Sequence, residues 1–304
     1  MKFEITILGC GSATPSLLRN PAAQVVNVQE NYFLVDCGEG TQLQLRRHKF
    51  KTQRIHHIFI SHLHGDHYLG LIGYLQSLHL LGRTHELHLY AHSSLKDLID
   101  LNLKISHSTL GFPLVFHPLR YDQPEIIFEN KQVEIKTVIL KHRIPCCGFV
   151  FREKKKLLSI NPDKIKEYGI PVAVLPSVKE GNDYITDSGQ VIPNAEITLP
   201  VAKSYSYAYC SDTAWSEEVA RQLDEPDVLY HESTFTEEHK DRAKETYHST
   251  AREAADIARK CRAGKLILGH FSVRYKTTDD FLLQAKEIFE NTELAEDGKV
   301  IKLY

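Results

Sequence analysis

The stretch His62-Leu-His64-Gly-Asp66-His67 places three imidazoles and one carboxylate within six residues. Neutral imidazole and carboxylate are the donors zinc takes in catalytic sites, which usually keep one coordination position open. His62 and His64 are two apart, so on an extended chain their rings share one side. Gly65 allows a turn, after which Asp66 and His67 can point back toward a second position. Four donors this close could serve one ion, but a neighbouring pair uses them more naturally. Two ions about 3.5–4 Å apart clamp the attacking and leaving oxygens of a phosphoryl displacement.

Further donors should come from other strand ends. QVEIKTVILKH ends on His142, SYAYCSD carries Asp212, and KLILGH ends on His270. Each alone would read as a cap or a loop residue. Their shared position at strand ends, in a chain with the tight cluster, suggests one site on loops held by a rigid scaffold. An ion pair calls for a bridging carboxylate, and Asp212 is the best candidate.

The elements that must position these donors follow from hydrophobic period and punctuation. KFEITILGCG and VVNVQENYFLVDCG read as strands stopped by glycine, and TQLQLRRHKF as a helix. IHHIFIS is a strand running into the cluster, YLGLIGYLQSLHLLG an apolar helix after it. ELHLYAH, VFHPLRY, QVEIKTVILKH, GFVFRE, SYSYAYCSD, DVLYHES and KLILGH read as strands. SSLKDLIDLNLKIS, DDFLLQAKEIFEN and TAREAADIARKCRAG read as helices, the last with glycine at its end.

The chain has 304 residues, 42% hydrophobic and 25% charged, with a formal charge of −2 and 17 histidines. Such a composition gives no global sign of a nucleic-acid binder, though a local basic patch fits within it. The six cysteines show no C-x-x-C spacing, which points to free thiols in a reducing compartment. Neither a signal peptide nor an 18-residue apolar run is present, so a cytoplasmic protein without membrane association is expected.

Residues 152–197 lack sustained periodicity and carry four prolines and three glycines. A connection this long is functional or disordered more often than structural. From 152 to 179 its charge is +4, with Lys154, Lys155 and Lys156 at the base. A solvated surface insertion is the plainer alternative.

The wider motif set, GSATPSLLRN, FLVDCGEGTQLQL, the His62–His67 cluster, HRIPCCGFVF, YCSDT, LYHESTF, YHSTAREAA and LILGHFSVRY, resembles in content and order the ribonuclease Z family, short form, of the metallo-β-lactamase superfamily. The resemblance implies an α/β fold: one domain over residues 1–304, an αββα sandwich of two mixed sheets flanked by helices. Residues 152–197 would be an inserted arm that grips tRNA. It implies two Zn2+ per chain: His62, His64 and His142 on one, Asp66, His67 and His270 on the other, with Asp212 bridging. Asp66 would act as general base, and Glu232 and His248 would handle the leaving-group proton. Arg274, Ser272 and Arg19, with the three arm lysines, would contact substrate. His231 has no clear role. The implied activity is removal of the 3′ trailer from precursor tRNA, by a homodimer.

Two places depart from the family pattern. Leu17 stands where the N-terminal loop carries a lysine, and Ala173 and Val174 replace a Gly-Pro pair in the arm. A phosphodiesterase acting on small esters or cyclic nucleotides, and a non-catalytic RNA-binding protein, are the competing readings. The long insertion argues against the first, the intact donor set against the second.

Overall fold

The computed structural model describes residues 2–154, 156–199 and 203–303. The chain forms two compact units: one of residues 1–152 and 205–304, the other Glu153–Ser204.

In the larger unit β1 (Phe3–Gly9), β2 (Ala23–Val28) and β3 (Asn31–Val35) run antiparallel in turn. β4 (Ile55–Phe59), β5 (Leu87–Ala91) and β6 (Leu114–Pro118) extend the sheet in parallel. The helices α1 (Thr41–Arg47), α2 (Gly65–Tyr68), α3 (Gly70–Leu80) and α4 (Ser94–Ile105) connect these strands. Leu45, Leu71, Tyr74, Leu78, Leu95 and Ile99 from the helices meet Leu8, Val25, Leu34, Ile58 and Leu89 of the sheet in one buried cluster. β2 is buried along its whole length, as expected of a strand covered on both faces.

VVNVQENYFLV is two strands, not one. The chain reverses at Gln29 and Glu30, with φ of 50° and 69°. A two-residue hairpin of type I′ needs positive φ at both central positions. Neither Asn nor Gly marks the turn, so the sequence hides it.

β7 (Ile126–Glu129), β8 (Val133–Ile139) and β9 (Cys147–Glu153) open the second sheet. The smaller unit follows. It holds β10 (Ser159–Ile160), α5 (Pro162–Tyr168), α6 (Leu175–Lys179), β11 (Tyr184–Ile185), β12 (Val191–Ile192), α7 (Asn194–Ile197) and β13 (Thr198–Leu199). β10 pairs with β13 and β11 with β12. Ile170, Val178, Tyr184, Ile192 and Ile197 form a core of its own. The segment therefore has a packed interior that its irregular period concealed. Its elements are only two to seven residues long, too short to establish one.

The cationic base expected there needs correction. Lys156 lies 3.1 Å from the Glu153 carboxylate and donates to the Lys203 carbonyl, with its side chain only 12% exposed. Its charge is neutralised inside the unit. Lys155 lies outside the described residues. From Glu153 to Ser204 there are seven lysines and seven acidic residues, so the whole segment is balanced.

The larger unit resumes with β14 (Ser206–Cys210), α8 (Glu217–Gln222), β15 (Val228–Glu232), α9 (Lys240–Thr246), α10 (Ala251–Lys260), β16 (Leu266–Gly269), α11 (Asp279–Lys286), β17 (Thr292–Leu294) and β18 (Val300–Lys302). β14 to β17 are parallel neighbours, β9 pairs antiparallel with β14, and β18 closes the edge of the first sheet beside β1. The two seven-stranded sheets face each other through aromatic contacts such as Phe33–Phe151 at 5.6 Å and Phe59–Phe149 at 5.4 Å. Ala254, Ala255, Ala258 and Phe281 of α10 and α11 join the same buried cluster as the second sheet. The architecture is an αββα sandwich.

α10 ends differently from its sequence signal. The left-handed residue after the helix is Arg262, φ 53°, rather than Gly264. Gly264 serves a close approach instead: a Cβ there would stand 2.6 Å from the Asp227 carbonyl oxygen. All six cysteines are buried and unpaired. No described helix is long and apolar enough to cross a membrane.

A Cβ on Gly269 would lie 2.1 Å from the Tyr230 hydroxyl, and Tyr230 stacks on Tyr209 at 5.1 Å. Gly269→Ala should therefore destabilise the fold by about 1–3 kcal/mol through overpacking. Urea denaturation measures this; an unchanged midpoint would show that the ring moves aside freely.

Candidate metal centre

The donors converge from four separate stretches of chain. β4 ends at Phe59, and the chain then runs extended through His62 and His64 before α2 begins at Gly65. His142 follows β8, Asp212 follows β14, and His270 follows β16. His62, His64, His142 and Asp212 bring one ligand atom each within 4.8 Å of one another, and Asp66, His67 and His270 form a second such group. All seven donors expected from the sequence are thus brought together.

Asp212 faces both groups. Its Oδ1 is 3.3 Å from His67 Nε2 and 3.1 Å from His270 Nε2, while its Oδ2 is 3.5 Å from His62 Nε2 and 3.8 Å from His142 Nε2. His64 Nδ1 lies 3.1 Å from both His62 Nε2 and His142 Nε2. Nitrogens bound tetrahedrally to zinc at 2.0–2.1 Å would stand roughly 3.3 Å apart. A single Nδ1 proton cannot bond to two nitrogens equally well, so the spacing suits a shared cation better than mutual hydrogen bonds.

The far side of each ring is held. His67 Nδ1 donates to Asp36 at 2.7 Å, His142 Nδ1 to the Tyr247 carbonyl at 2.9 Å, and His270 Nδ1 to the Thr234 hydroxyl at 2.9 Å. His62 Nδ1 meets the Ser61 hydroxyl at 3.0 Å. Such partners fix the tautomer and aim the other nitrogen at the centre. Ala13, φ 55°, donates its N–H to Asp66 at 2.6 Å, so the N-terminal loop is tied to the site.

The charges are already sorted for ligation. Burial and neighbouring histidines keep His62 and His64 neutral, His64 pushed down to about 4, and burial does the same to His142. Burial opposes charge on Asp212, but His270, His67 and His62 hold its carboxyl well below the usual range. Burial also opposes charge on His67, yet Asp66, Asp212 and Asp36 raise it well above the ordinary value. A cation arriving there displaces that proton, so uptake and proton release are linked.

Beside the donors lies a second pair. Glu232 is fully buried at the end of β15 and accepts from Thr213 N–H at 3.0 Å, Thr234 N–H at 2.9 Å and Thr234 hydroxyl at 2.7 Å. Its remaining bond is to His248 Nδ1 at 2.8 Å. Burial disfavours the His248 cation, but the Glu232 carboxylate overrides this and lifts the imidazole to about 9. His248 N–H bonds to the Ala243 carbonyl at 2.8 Å, and two residues on, Thr250 and Glu253 bond reciprocally in the capping box that starts α10.

These groups open onto a cleft of about 260 Å³, also lined by Ser272, Arg274, Arg143 and Arg242. The Arg274 guanidinium lies 5.3 Å above the Phe235 ring. Arg19 is not among the lining residues. It donates to the Tyr275 carbonyl at 3.2 Å and sits over Phe271, which makes it a brace of the N-terminal loop. His231 points its Nδ1 at the Glu232 carbonyl, 2.7 Å, and is buried away from the cleft.

A family model described as Beta-lactamase superfamily domain matches residues 183–271, and one described as Anti-Pycsar protein Apyc1 matches residues 3–167. Ribonuclease Z of Bacteroides fragilis is 44% identical over 302 residues, 99% of each chain. Ribonuclease Z of Bacteroides thetaiotaomicron is also 44% identical, over 99% of this chain and 96% of that one. The chain belongs to the ribonuclease Z family. The crystal structure of human tRNase Z, short form, is 30% identical with a TM-score of 0.72 and covers 98% of both chains. The sandwich described above is therefore the metallo-β-lactamase fold of this family.

Sequence reasoning missed Asp36, Thr234 and Ala13 in this ribonuclease Z site, and Arg143 and Arg242 on its rim. Asp36 had a signal, a lone carboxylate closing the apolar run FLVD. Asp36→Asn leaves one neutral oxygen where Oδ1 takes Ser61 N–H and Oδ2 takes Ser61 hydroxyl, His67 and Tyr209, so the hold on His67 weakens. Metal affinity should fall about 10–100-fold, read by chelator competition. Undiminished affinity would make Asp36 a purely structural residue.

Proposed function

We propose that this chain is a zinc-dependent endoribonuclease that removes the 3′ trailer from precursor tRNA, leaving a 3′-hydroxyl on the tRNA and a 5′-phosphate on the trailer. The observation that carries this reading is the convergence of seven donors in two groups, with Glu232–His248 beside them, in a member of the ribonuclease Z family. The donor set fits two Zn2+. His62, His64 and His142 would hold one and Asp66, His67 and His270 the other, with Asp212 shared between them. Zinc there would supply Lewis acidity and an attacking water ionised near neutral pH.

The chain's own residues do the rest. Asp66, fixed by the Ala13 N–H, accepts a proton from the attacking water. The water oxygen joins phosphorus as the bond to the discriminator O3′ breaks. His248, kept protonated by Glu232, gives its proton to that O3′. Arg274 and Ser272 contact the phosphates from the cleft wall, since a guanidinium fork suits phosphate oxygens. The unit Glu153–Ser204 acts as an exosite for the tRNA body, with Lys154 among its contacts. The enzyme works as a cytoplasmic homodimer.

Incubation with a precursor tRNA bearing a trailer tests the reading; one cut after the discriminator supports it. Turnover of small phosphodiesters with no tRNA cleavage would favour the small-ester phosphodiesterase instead. His248→Ala should retain metal yet lose about 10²–10⁴ in single-turnover rate on RNA. An aryl phosphodiester, whose leaving group needs no proton, should lose less. Because the carboxylate raises the His248 pKa, the alkaline limb of kcat should move to lower pH in Glu232→Gln. An unmoved limb would assign it to another group.

A further inference from the structure

The segment RRHKFKTQR, 46–54, carries five lysines and arginines, and no acidic residue occurs between Gly40 and Gly65. In a chain of net charge −2 this is a concentrated source of positive charge. It is also rigid. Lys49 N–H bonds to the Arg46 carbonyl at 3.0 Å and Phe50 N–H to the Leu45 carbonyl at 2.8 Å, closing the end of α1. The Phe50 ring meets Tyr32 edge-on at 6.4 Å. The segment borders an open cavity of about 350 Å³.

Two of the surrounding cations are already paired, Lys2 with Glu4 at 2.9 Å and Arg54 with Glu30 at 2.8 Å. Among the described residues Arg46, Arg47, Lys49 and Lys51 are exposed and carry no ion pair. Arg46 and Arg47 suit the negative end of α1, which is the plain account of them. That account does not extend to Lys49 and Lys51, which lie beyond the helix. Lys49 moreover occupies a left-handed position, φ 58°, where helices favour glycine or asparagine.

The patch precedes β4, and the donor loop follows it. At about 3.3 Å per residue the two lie roughly 20 Å apart at opposite ends of the strand. We infer that Arg46, Arg47, Lys49 and Lys51 bind the sugar–phosphate backbone of the tRNA body while its 3′ end occupies the cleft. This rests on the tRNA-processing reading above. It places unpaired cations for the RNA on the sandwich itself, whereas Glu153–Ser204 is charge-balanced.

The test uses the full holoenzyme and the double variant Lys49→Gly/Lys51→Gln. Binding of mature tRNA, which cannot be cut, is measured across salt concentrations. The variant should weaken Kd about tenfold near 0.15 M salt and flatten the log–log salt slope by about 1.5–2. Its Tm should hold or rise, since glycine fits φ 58°, and aryl phosphodiester turnover should be unchanged. Unchanged Kd and slope would overturn the patch, as would a matching fall in aryl turnover. If tRNA binding weakens as expected but wild type cuts no precursor, the patch stands and the nuclease reading falls.

Discussion

One buried carboxylate joins the parts of this site. Asp36, at the end of β3, accepts from Ser61 N–H at 2.8 Å, Ser61 hydroxyl at 3.0 Å, His67 at 2.7 Å and Tyr209 hydroxyl at 2.7 Å. Ser61 belongs to the loop after β4, His67 to α2 just beyond it, and Tyr209 to β14 of the opposite sheet. The bonds therefore fix the donor loop to its own sheet and to the facing one. A carboxyl group so deep is tolerated only when its oxygens are hydrogen-bonded, and here they are. Asp36 itself has φ 55°, an uncommon backbone state for a residue other than glycine. Such strain persists where surrounding contacts over-determine it, often at functional sites.

The same logic repeats around the centre. Thr234 links Glu232 to His270 through one hydroxyl, so the Glu232–His248 pair and a candidate metal donor share a support. Arg19 braces the N-terminal loop, and the loop's Ala13 holds Asp66. Displacing any of these supports shifts donors whose nitrogen–oxygen spacings vary by only tenths of an ångström.

The donors were legible in the sequence because ligand chemistry resides in residue type and spacing: His62, His64, Asp66 and His67 sit in one short loop. His142, Asp212 and His270 were legible as polar ends of apolar strands. The supports were not. Asp36 meets Tyr209, and Thr234 meets His270, only after distant strands pack. The αββα layers came from family resemblance rather than from periodicity, since strands buried on both faces lose the alternation that marks a sheet. The hairpin at Gln29–Glu30 was hidden by the absence of Asn or Gly, and the end of α10 by an arginine doing a glycine's work. Local charge misled in the arm. Its first half is basic, its second half acidic, and Lys156 is turned inward onto Glu153.

The proposed centre has seven donors, four of them held from behind by Asp36, Thr234, the Ser61 hydroxyl and the Tyr247 carbonyl, forming two adjacent ion sites that share Asp212. Anomalous diffraction at the zinc edge from crystals of the purified protein tests it directly. The account predicts two peaks about 3.5–4 Å apart with Asp212 between them. A single peak at full occupancy, or two peaks with Asp212 bound to only one, would contradict it.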